Sequence, residues 1–187
     1  MAQKRQKVRG GAKALNYSGK PLDEERLRAL AIRYVGRYAT TRHKLKAYLV
    51  RKIRERGWGS SEAADIEGLA ERFAELGYID DALYARSKAA SLLDRGYGKR
   101  RVTQALYEAG IAEGDDREAL DLSDERKWEA ASKYAKKKRI GPFALEQSSD
   151  EKRQKQLASF MRAGHDYTLA AKFVFAQPGE ELQNEPD

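Results

Sequence analysis

The chain has 187 residues, a formal net charge of +8, no cysteine, and 35% charged against 41% hydrophobic residues. The lack of cysteine excludes a disulfide framework, a thiolate nucleophile and a cysteine-ligated metal centre. No apolar run reaches the roughly 18 residues of a membrane span, and residues 1–20 lack the apolar segment of a signal peptide. We therefore expect a cytoplasmic protein without membrane association.

The positive charge is unevenly distributed along the chain. Residues 1–20 hold six basic and no acidic side chains, whereas residues 177–187 hold four acidic and no basic ones. We interpret 1–20 as a disordered basic tail and 177–187 as a disordered acidic tail, which leaves a charge of +6 on the body. An excess of this size is compatible with a polyanionic partner, but many solvated helical proteins have a similar one.

Residues 22–141 contain no proline and are rich in good helix formers, which favours an all-α fold. Capping residues and apolar spacing predict nine helices. In chain order they begin after Pro21, at Thr41, at Ser60 or Ser61, at Asp80, after Gly98, near Asp115, before Trp128, at a Ser148–Glu151 capping box, and at Asp166. The sixth helix is short and is predicted to end at Leu122.

The second helix in each set of three ends in the same way. An apolar residue is followed four positions later by glycine, as Ile53–Gly57, Leu106–Gly110 and Phe160–Gly164, and the glycines are 53 and 54 residues apart. Glycine commonly ends helices, but the near-constant period favours a tandem repeat. We therefore predict an elongated array of three three-helix repeats over 21–79, 80–122 and 123–176.

The centre of the chain carries a longer pattern with many fixed points. It comprises Glu75, Leu76, Gly77, Tyr78, Ile79, Asp80 and Asp81, then Tyr84 and Ala85, and then Gly96, Tyr97, Gly98, Arg101, Val102, Leu106, Gly110 and Ile111. This pattern closely resembles the RecX family of recombination regulators, in which a glycine–aromatic–aliphatic–Asp–Asp turn joins the first two three-helix repeats. The resemblance covers residues 22–176 and is strongest over 73–111.

The resemblance implies a regulator and not an enzyme. RecX-like proteins bind along the groove of the RecA nucleoprotein filament and inhibit its ATPase, strand-exchange and coprotease activities, which links them to homologous recombination, DNA repair and the SOS response. We accordingly expect a monomer without a cofactor whose partners are the RecA filament and, weakly on its own, single- or double-stranded DNA. Two positions depart from the family pattern, since Lys99 replaces a frequent proline and His165 occupies an apolar position.

The residues give no support for catalysis. His43 and His165 are the only histidines and lie in separate repeats, without the spacing of a zinc site. The pairs Asp80/Asp81 and Asp115/Asp116 stand at predicted helix starts, so we interpret them as helix caps. We assign no catalytic residue and no metal ligand.

A first basic cluster lies on the helix that begins at Thr41. Its helical periodicity places four residues on one arc, which are His43, Lys44, Arg51 and Arg54. The arc is either a solvated face or a surface for DNA phosphates or an acidic groove.

A second cluster surrounds the glycine-rich turn and consists of Arg95, Tyr97, Lys99, Arg100 and Arg101. Three of these bases stand at a helix start, where the helix dipole disfavours positive charge, and this predicts an external anion. Tyr97 is either an exposed anchor or a core residue at a repeat junction.

A third cluster, which includes Lys133 and Lys137, ends the seventh helix. Positive charge is favourable at a helix end in any protein, so the structural interpretation competes with a binding role. The alternative to a filament regulator is a direct DNA-binding protein of helix-turn-helix type, with the helix from Thr41 or from Lys99 in a groove.

Overall fold

The computed structural model describes residues 20–184 and is all-helical, which confirms the predicted fold class. Within this range it contains nine α-helices, one 3₁₀ turn (Gly141–Phe143) and a single isolated β-bridge. None of the described helices is long and apolar enough to cross a membrane. The helices are α1 (Glu24–Val35), α2 (Arg42–Arg56), α3 (Ile66–Glu75), α4 (Asp81–Asp94), α5 (Lys99–Glu108), α6 (Arg117–Glu125), α7 (Lys127–Lys138), α8 (Asp150–Ala163) and α9 (Tyr167–Phe175).

Most predicted helix starts are found where local chemistry places them. Asp23, Thr41, Asp80 and Asp166 each cap a helix by accepting a hydrogen bond from the backbone N–H three residues later. A side-chain acceptor at this position satisfies an N–H group that the helix itself leaves unpaired. The start of each of these helices is therefore determined by four consecutive residues, from the cap to the N–H that it accepts from.

Two predicted caps are wrong. The α3 helix is capped by Asp65, which accepts from the Gly68 N–H at 2.8 Å, because the preceding segment is held open by a Trp58 Nε1–H bond to the Glu62 carbonyl. The α8 helix is capped by Ser149, whereas the Ser148 hydroxyl accepts a hydrogen bond from a buried glutamine further along the same helix.

The buried side chains form three clusters. We call α1–α3 unit 1, α4–α6 unit 2 and α7–α9 unit 3, since each set of three helices supplies most of one cluster. This arrangement is consistent with three-helix repeats. The predicted boundary after residue 122 falls inside α6, however, because Ser123 is buried and its hydroxyl donates to the Ala119 carbonyl at 2.7 Å.

The junction between units 1 and 2 is held by side chains. The Thr41 hydroxyl, at the start of α2, donates to the carbonyl of Ala109 at the end of α5, with an O···O distance of 2.7 Å. The adjacent Arg42 guanidinium pairs with Asp81 (2.8 Å), Asp115 (2.9 Å) and Glu71 (3.3 Å). Asp81 and Asp115 are thus inter-unit ion-pair partners and not the helix caps that the sequence suggests.

The segment after α9 departs from the disordered tail predicted for 177–187. The Gly179 N–H donates to the Pro142 carbonyl at 3.0 Å, and Leu182 packs against the core of unit 3. A Pro178–Gly179 turn directs the chain back over the helices, which gives this acidic segment an apolar anchor. Residues 185–187, and the predicted basic tail over 1–19, lie outside the described residues.

Candidate functional site

The junction between units 2 and 3 is built from backbone. At the start of α5, the Gly98 N–H donates to the Ala163 carbonyl and the Arg100 N–H to the Gly164 carbonyl, both at 3.0 Å. A Cβ on Gly98 would lie 2.4 Å from the Gly164 oxygen, and a Cβ on Gly164 would lie 2.4 Å from the Arg101 nitrogen. Only glycine permits this approach.

This contact explains the basic residues at the start of α5. The carbonyl groups that end α8 carry partial negative charge and meet the positive end of the α5 dipole. The predicted external anion is therefore replaced at the helix start by carbonyl groups of the protein itself. Lys99 is neutralised separately, because its ammonium lies 2.5 Å from an Asp124 carboxylate oxygen.

His165 reinforces the same junction. It is 2% exposed, packs against Tyr134 and Phe160, and its Nε2 lies 3.0 Å from the Gly96 carbonyl oxygen. Burial lowers the pKa of His165 despite the opposing effect of this hydrogen bond. The neutral ring with its proton on Nε2 donates to the carbonyl, so the histidine in an apolar position joins unit 3 to unit 2.

A basic cleft opens beside this junction, with a volume of about 260 Å³. Its lining includes four cationic side chains and one aromatic ring, namely Arg95, Lys137, Lys138, Arg162 and Tyr97. No acidic residue is among the described residues that line it. The cations come from the ends of three helices, α4, α7 and α8, where each is favourable on its own. The fold brings these three ends together, so the four cationic side chains lie around one cleft.

The positive charge of the cleft affects the pKa of Tyr97. The Arg95 guanidinium lies 5.0 Å from the centre of the Tyr97 ring. A hydrogen bond from Arg95 and the charges of Arg95, Lys137 and Arg101 lower the pKa of Tyr97. The cations that stabilise the phenolate of Tyr97 can also stabilise the phosphate and carboxylate groups of a ligand.

Lys133, from the third predicted cluster, lies outside the cleft. Its ammonium is 2.7 Å from Glu129 and 3.4 Å from Asp94. Hydrogen bonds from Arg126 and then Lys133 lower the pKa of Glu129 to about 2. Lys133 thus belongs to a compensated ion-pair network, whereas Lys137 forms no ion pair with the residues that the structure describes.

The basic arc predicted on α2 is divided between two roles. Lys44 donates to the Tyr84 hydroxyl, with its ammonium 4.5 Å from the centre of that ring, and so connects unit 1 to unit 2. His43 packs on Gly110, where a Cβ would lie 2.2 Å from the His43 Cγ. These two residues of the arc therefore belong to the junction.

The other half of the arc remains at the surface. Arg51 is exposed and lies 3.8 Å from the Glu55 carboxylate. Arg54 is exposed and has no ion pair within residues 20–184. Arg51 and Arg54 are on unit 1, and the basic cleft lies where units 2 and 3 meet.

Lys138 and Arg162 complete the cleft but are not among the predicted site residues. Arg162 had a usable signal in the sequence, because it stands two residues before Gly164. The equivalent positions before Gly57 and Gly110 are both glutamate. The reversal of charge at one repeat position singles out Arg162.

Comparisons with known proteins agree with this architecture. A family profile described as "RecX, second three-helix domain" matches residues 80–120. The regulatory protein RecX of Myxococcus xanthus is 33% identical over 156 residues, which cover 79% of this chain and 83% of that protein. The chain belongs to the RecX family.

Further RecX proteins support the same assignment. The regulatory protein RecX of Thermobifida fusca is 29% identical over 164 residues, which cover 86% of this chain and 80% of that protein. A crystal structure of regulatory protein RecX matches with a TM-score of 0.60 at 21% identity, covering 78% of this chain and 70% of that one. The structure of RecX from Lactobacillus salivarius matches with a TM-score of 0.57 at 19% identity, covering 78% of this chain and 90% of that one. These two structures share the fold.

Proposed function

We propose that this RecX-family protein binds the RecA nucleoprotein filament and inhibits its ATPase, recombinase and coprotease activities. It acts in the cytoplasm as a monomeric regulator of recombination and the SOS response. The observation that carries the proposal is the basic cleft between units 2 and 3 in a chain that belongs to a family of regulatory proteins.

The cleft is suited to an anionic surface. Its Lys137, Lys138 and Arg162 side chains form no ion pairs within the described residues, so their charge is available to a partner. DNA phosphates and the carboxylates of a protein groove are both recognised by such clusters, without sequence readout. Three linked units can each contact a different part of a filament, and linked contacts add through effective concentration.

The alternative, a helix-turn-helix protein that binds DNA directly, receives less support. A recognition helix presents its N-terminal residues to base edges in the major groove. The starts of α2 and α5 instead face the end of the middle helix in the following unit, through the Thr41–Ala109 and Gly98–Ala163 hydrogen bonds. A titration of naked DNA across salt concentrations separates the two functions, since tight and sequence-selective binding would favour the alternative.

The proposal is tested by the DNA-dependent ATPase and strand exchange of RecA. We expect the full chain to inhibit both at stoichiometric concentration. The double variant Lys137→Gln with Arg162→Gln removes two uncompensated charges, so it should need about tenfold more protein for half-inhibition.

The matched control is Lys136→Gln with Lys152→Gln. It makes the same change of net charge at two exposed residues outside the cleft, and it should inhibit like the unmodified chain. Unchanged RecA activity with the unmodified protein would overturn the proposed function. Equal inhibition by both double variants would remove the cleft from the binding surface.

A further inference from the structure

Unit 1 carries a cluster of aromatic rings that the basic cleft does not involve. Tyr34 and Tyr48 stack with ring centres 4.2 Å apart and planes inclined by 13°. The Tyr38 ring also contacts Tyr34, with ring centres 5.4 Å apart and planes tilted by 51°. We call these three rings the tyrosine column. Its inner members pack against the core of unit 1, whereas Tyr38 is 51% exposed and ends the column at the surface.

Positive charge surrounds the tyrosine column. The Arg37 guanidinium lies 5.5 Å from the centre of the Tyr38 ring, and Arg51 and Lys52 lie 5.6 and 5.7 Å from that of Tyr48. From Arg26 to Arg54 the chain has ten Lys or Arg residues and no Asp or Glu. The nearest carboxylate, Glu55, pairs with Lys52 at 2.6 Å and leaves Arg37 uncompensated within the described residues.

The combination of exposed ring and uncompensated charge selects one class of ligand. A partner must offer negative charge along its length and a flat face to stack on a ring. Single-stranded nucleic acid has both, because its phosphates are regularly spaced and its bases are free to unstack. A duplex hides the faces of its bases, and an acidic peptide supplies charge without such faces.

Three other exposed tyrosines lack this setting. Tyr107 is 83% exposed and Tyr167 is 60% exposed, yet within residues 20–184 neither has an aromatic neighbour or a cation over its ring. Tyr78 is 59% exposed and lies 5.5 Å from the Phe73 ring, but it is followed by Asp80 and Asp81 and not flanked by basic residues. Tyr38 differs from all three because its ring contacts Tyr34 and also lies beside the Arg37 guanidinium. A rigid ring loses little conformational freedom when a base stacks on it.

We infer that Tyr38, supported by Tyr34 and flanked by Arg37, is a stacking site for a base of single-stranded nucleic acid. A phosphate next to that base meets Arg37, whose guanidinium lies 5.5 Å from the centre of the Tyr38 ring. This site goes beyond the proposed function, because it assigns the contact with a base to named residues of unit 1 that the basic cleft does not involve. The two surfaces would then bind different groups. Unit 1 would bind a base, and the cleft between units 2 and 3 would bind anionic groups.

The inference is tested with the full chain and fluorescently labelled oligonucleotides about 20 nucleotides long, without RecA. Alanine substitution at a stacking ring weakens single-strand binding by about 1–3 kcal/mol per base, so Tyr38→Ala should weaken binding at least about fivefold. Tyr38→Trp keeps a ring and should bind like the unmodified chain. The control Tyr107→Ala removes a more exposed tyrosine and should have no effect.

The ligand is varied as well. An oligothymidylate and an oligouridylate present bases on deoxyribose and ribose, and a loss with Tyr38→Ala on one or both identifies the accepted strand. An abasic strand of equal length should bind the unmodified chain as weakly as the base-containing strand binds Tyr38→Ala. Circular dichroism establishes that each variant is folded.

Two results would overturn the stacking site. One is equal binding of both oligonucleotides by Tyr38→Ala and the unmodified chain, which includes the case in which neither protein binds. The other is equal affinity of the unmodified chain for abasic and base-containing strands. Neither result affects the inhibition assay, so failure of this inference is distinguishable from failure of the proposed function.

Discussion

The junction between units 1 and 2 differs in chemistry from the junction between units 2 and 3. At the first, long side chains from Arg42 and Lys44 reach carboxylates and a tyrosine on the neighbouring unit. At the second, backbone meets backbone at Gly98 and Gly164, and a buried histidine closes the gap. Side-chain contacts tolerate small shifts of position, whereas backbone contact at this distance does not.

This difference suits the two candidate surfaces. The basic cleft requires the ends of α4, α7 and α8 at fixed positions, and the glycine contact supplies that precision. The tyrosine column lies entirely within unit 1 and does not depend on the position of unit 2. Substitutions at Gly98, Arg42 and His165 test this difference between the two junctions.

The largest effect is expected from Gly98→Ala. The new Cβ would lie 2.4 Å from the Gly164 carbonyl oxygen, and neither backbone segment can move without losing hydrogen bonds. We expect a loss of about 3 kcal/mol in the free energy of unfolding, measured by urea denaturation. In the control Gly36→Ala, the nearest atom would be the Ile32 oxygen at 3.2 Å, so the change should be small. Equal stability of the two variants would contradict a backbone-locked junction.

A smaller effect is expected at the other junction from Arg42→Ala. Asp81 is buried, so removal of the guanidinium leaves its carboxylate without a counter-charge, although the backbone N–H of residue 42 still donates to it at 3.0 Å. Breaking a buried ion pair costs about 3–5 kcal/mol, and because Arg42 is partly exposed we expect about 2 kcal/mol in urea denaturation.

The matched control for this change is Arg86→Ala. Arg86 pairs with Glu118 at 3.4 Å, and both side chains are exposed. Such a pair contributes about 0–1 kcal/mol. If Arg42→Ala and Arg86→Ala had the same effect, the ion pairs of Arg42 would not hold the first junction.

The smallest effect is a pH dependence at His165. Burial lowers its pKa in the folded protein, whereas the unfolded side chain titrates near its ordinary value of about 6.5. The unfolded state therefore binds more protons below that pH. Stability should be constant above about pH 6.5 and fall on acidification, with a slope of at most about 1.4 kcal/mol per pH unit.

This slope can be assigned by substitution. His165→Gln should lose it, whereas His43→Gln should keep it, because His43 is exposed. Glu129 and Asp94 also have lowered pKa values, but their ordinary values of 4.5 and 3.8 are below this range, so they contribute only a small part of the slope near pH 5. Urea denaturation between pH 7 and 5 provides the measurement, and an unchanged slope in His165→Gln would refute the role of His165.

Much of the fold was predictable because its causes are local. The starts of α1, α2, α4 and α9 depend on one side chain and an N–H three residues away, so sequence reasoning found them. The start of α3 was not found, because residues 60–65 contain several side chains that can cap a helix and the structure uses Asp65, the last of them. The end of α6 was missed for a related reason, since Ser123 bonds within the helix and does not end it.

The candidate site was only partly predictable. The sequence identified Arg95, Tyr97 and Lys137 as charged or aromatic residues near helix ends. It did not show that those ends converge, because convergence depends on contact between Gly98 and a carbonyl some 66 positions away at Gly164. It also could not separate Lys137 from Lys133, which differ only in the carboxylates that the fold places beside them.

The contacts between successive middle helices also settle how each middle helix ends. The start of α2 faces the end of α5, and the start of α5 faces the end of α8. The end of α2 has no such partner in units 2 and 3, and its Gly57 carbonyl accepts instead from the Leu22 N–H at 2.9 Å. Unit 1 therefore closes its own middle helix, whereas the middle helices of units 2 and 3 are each closed by the unit before them.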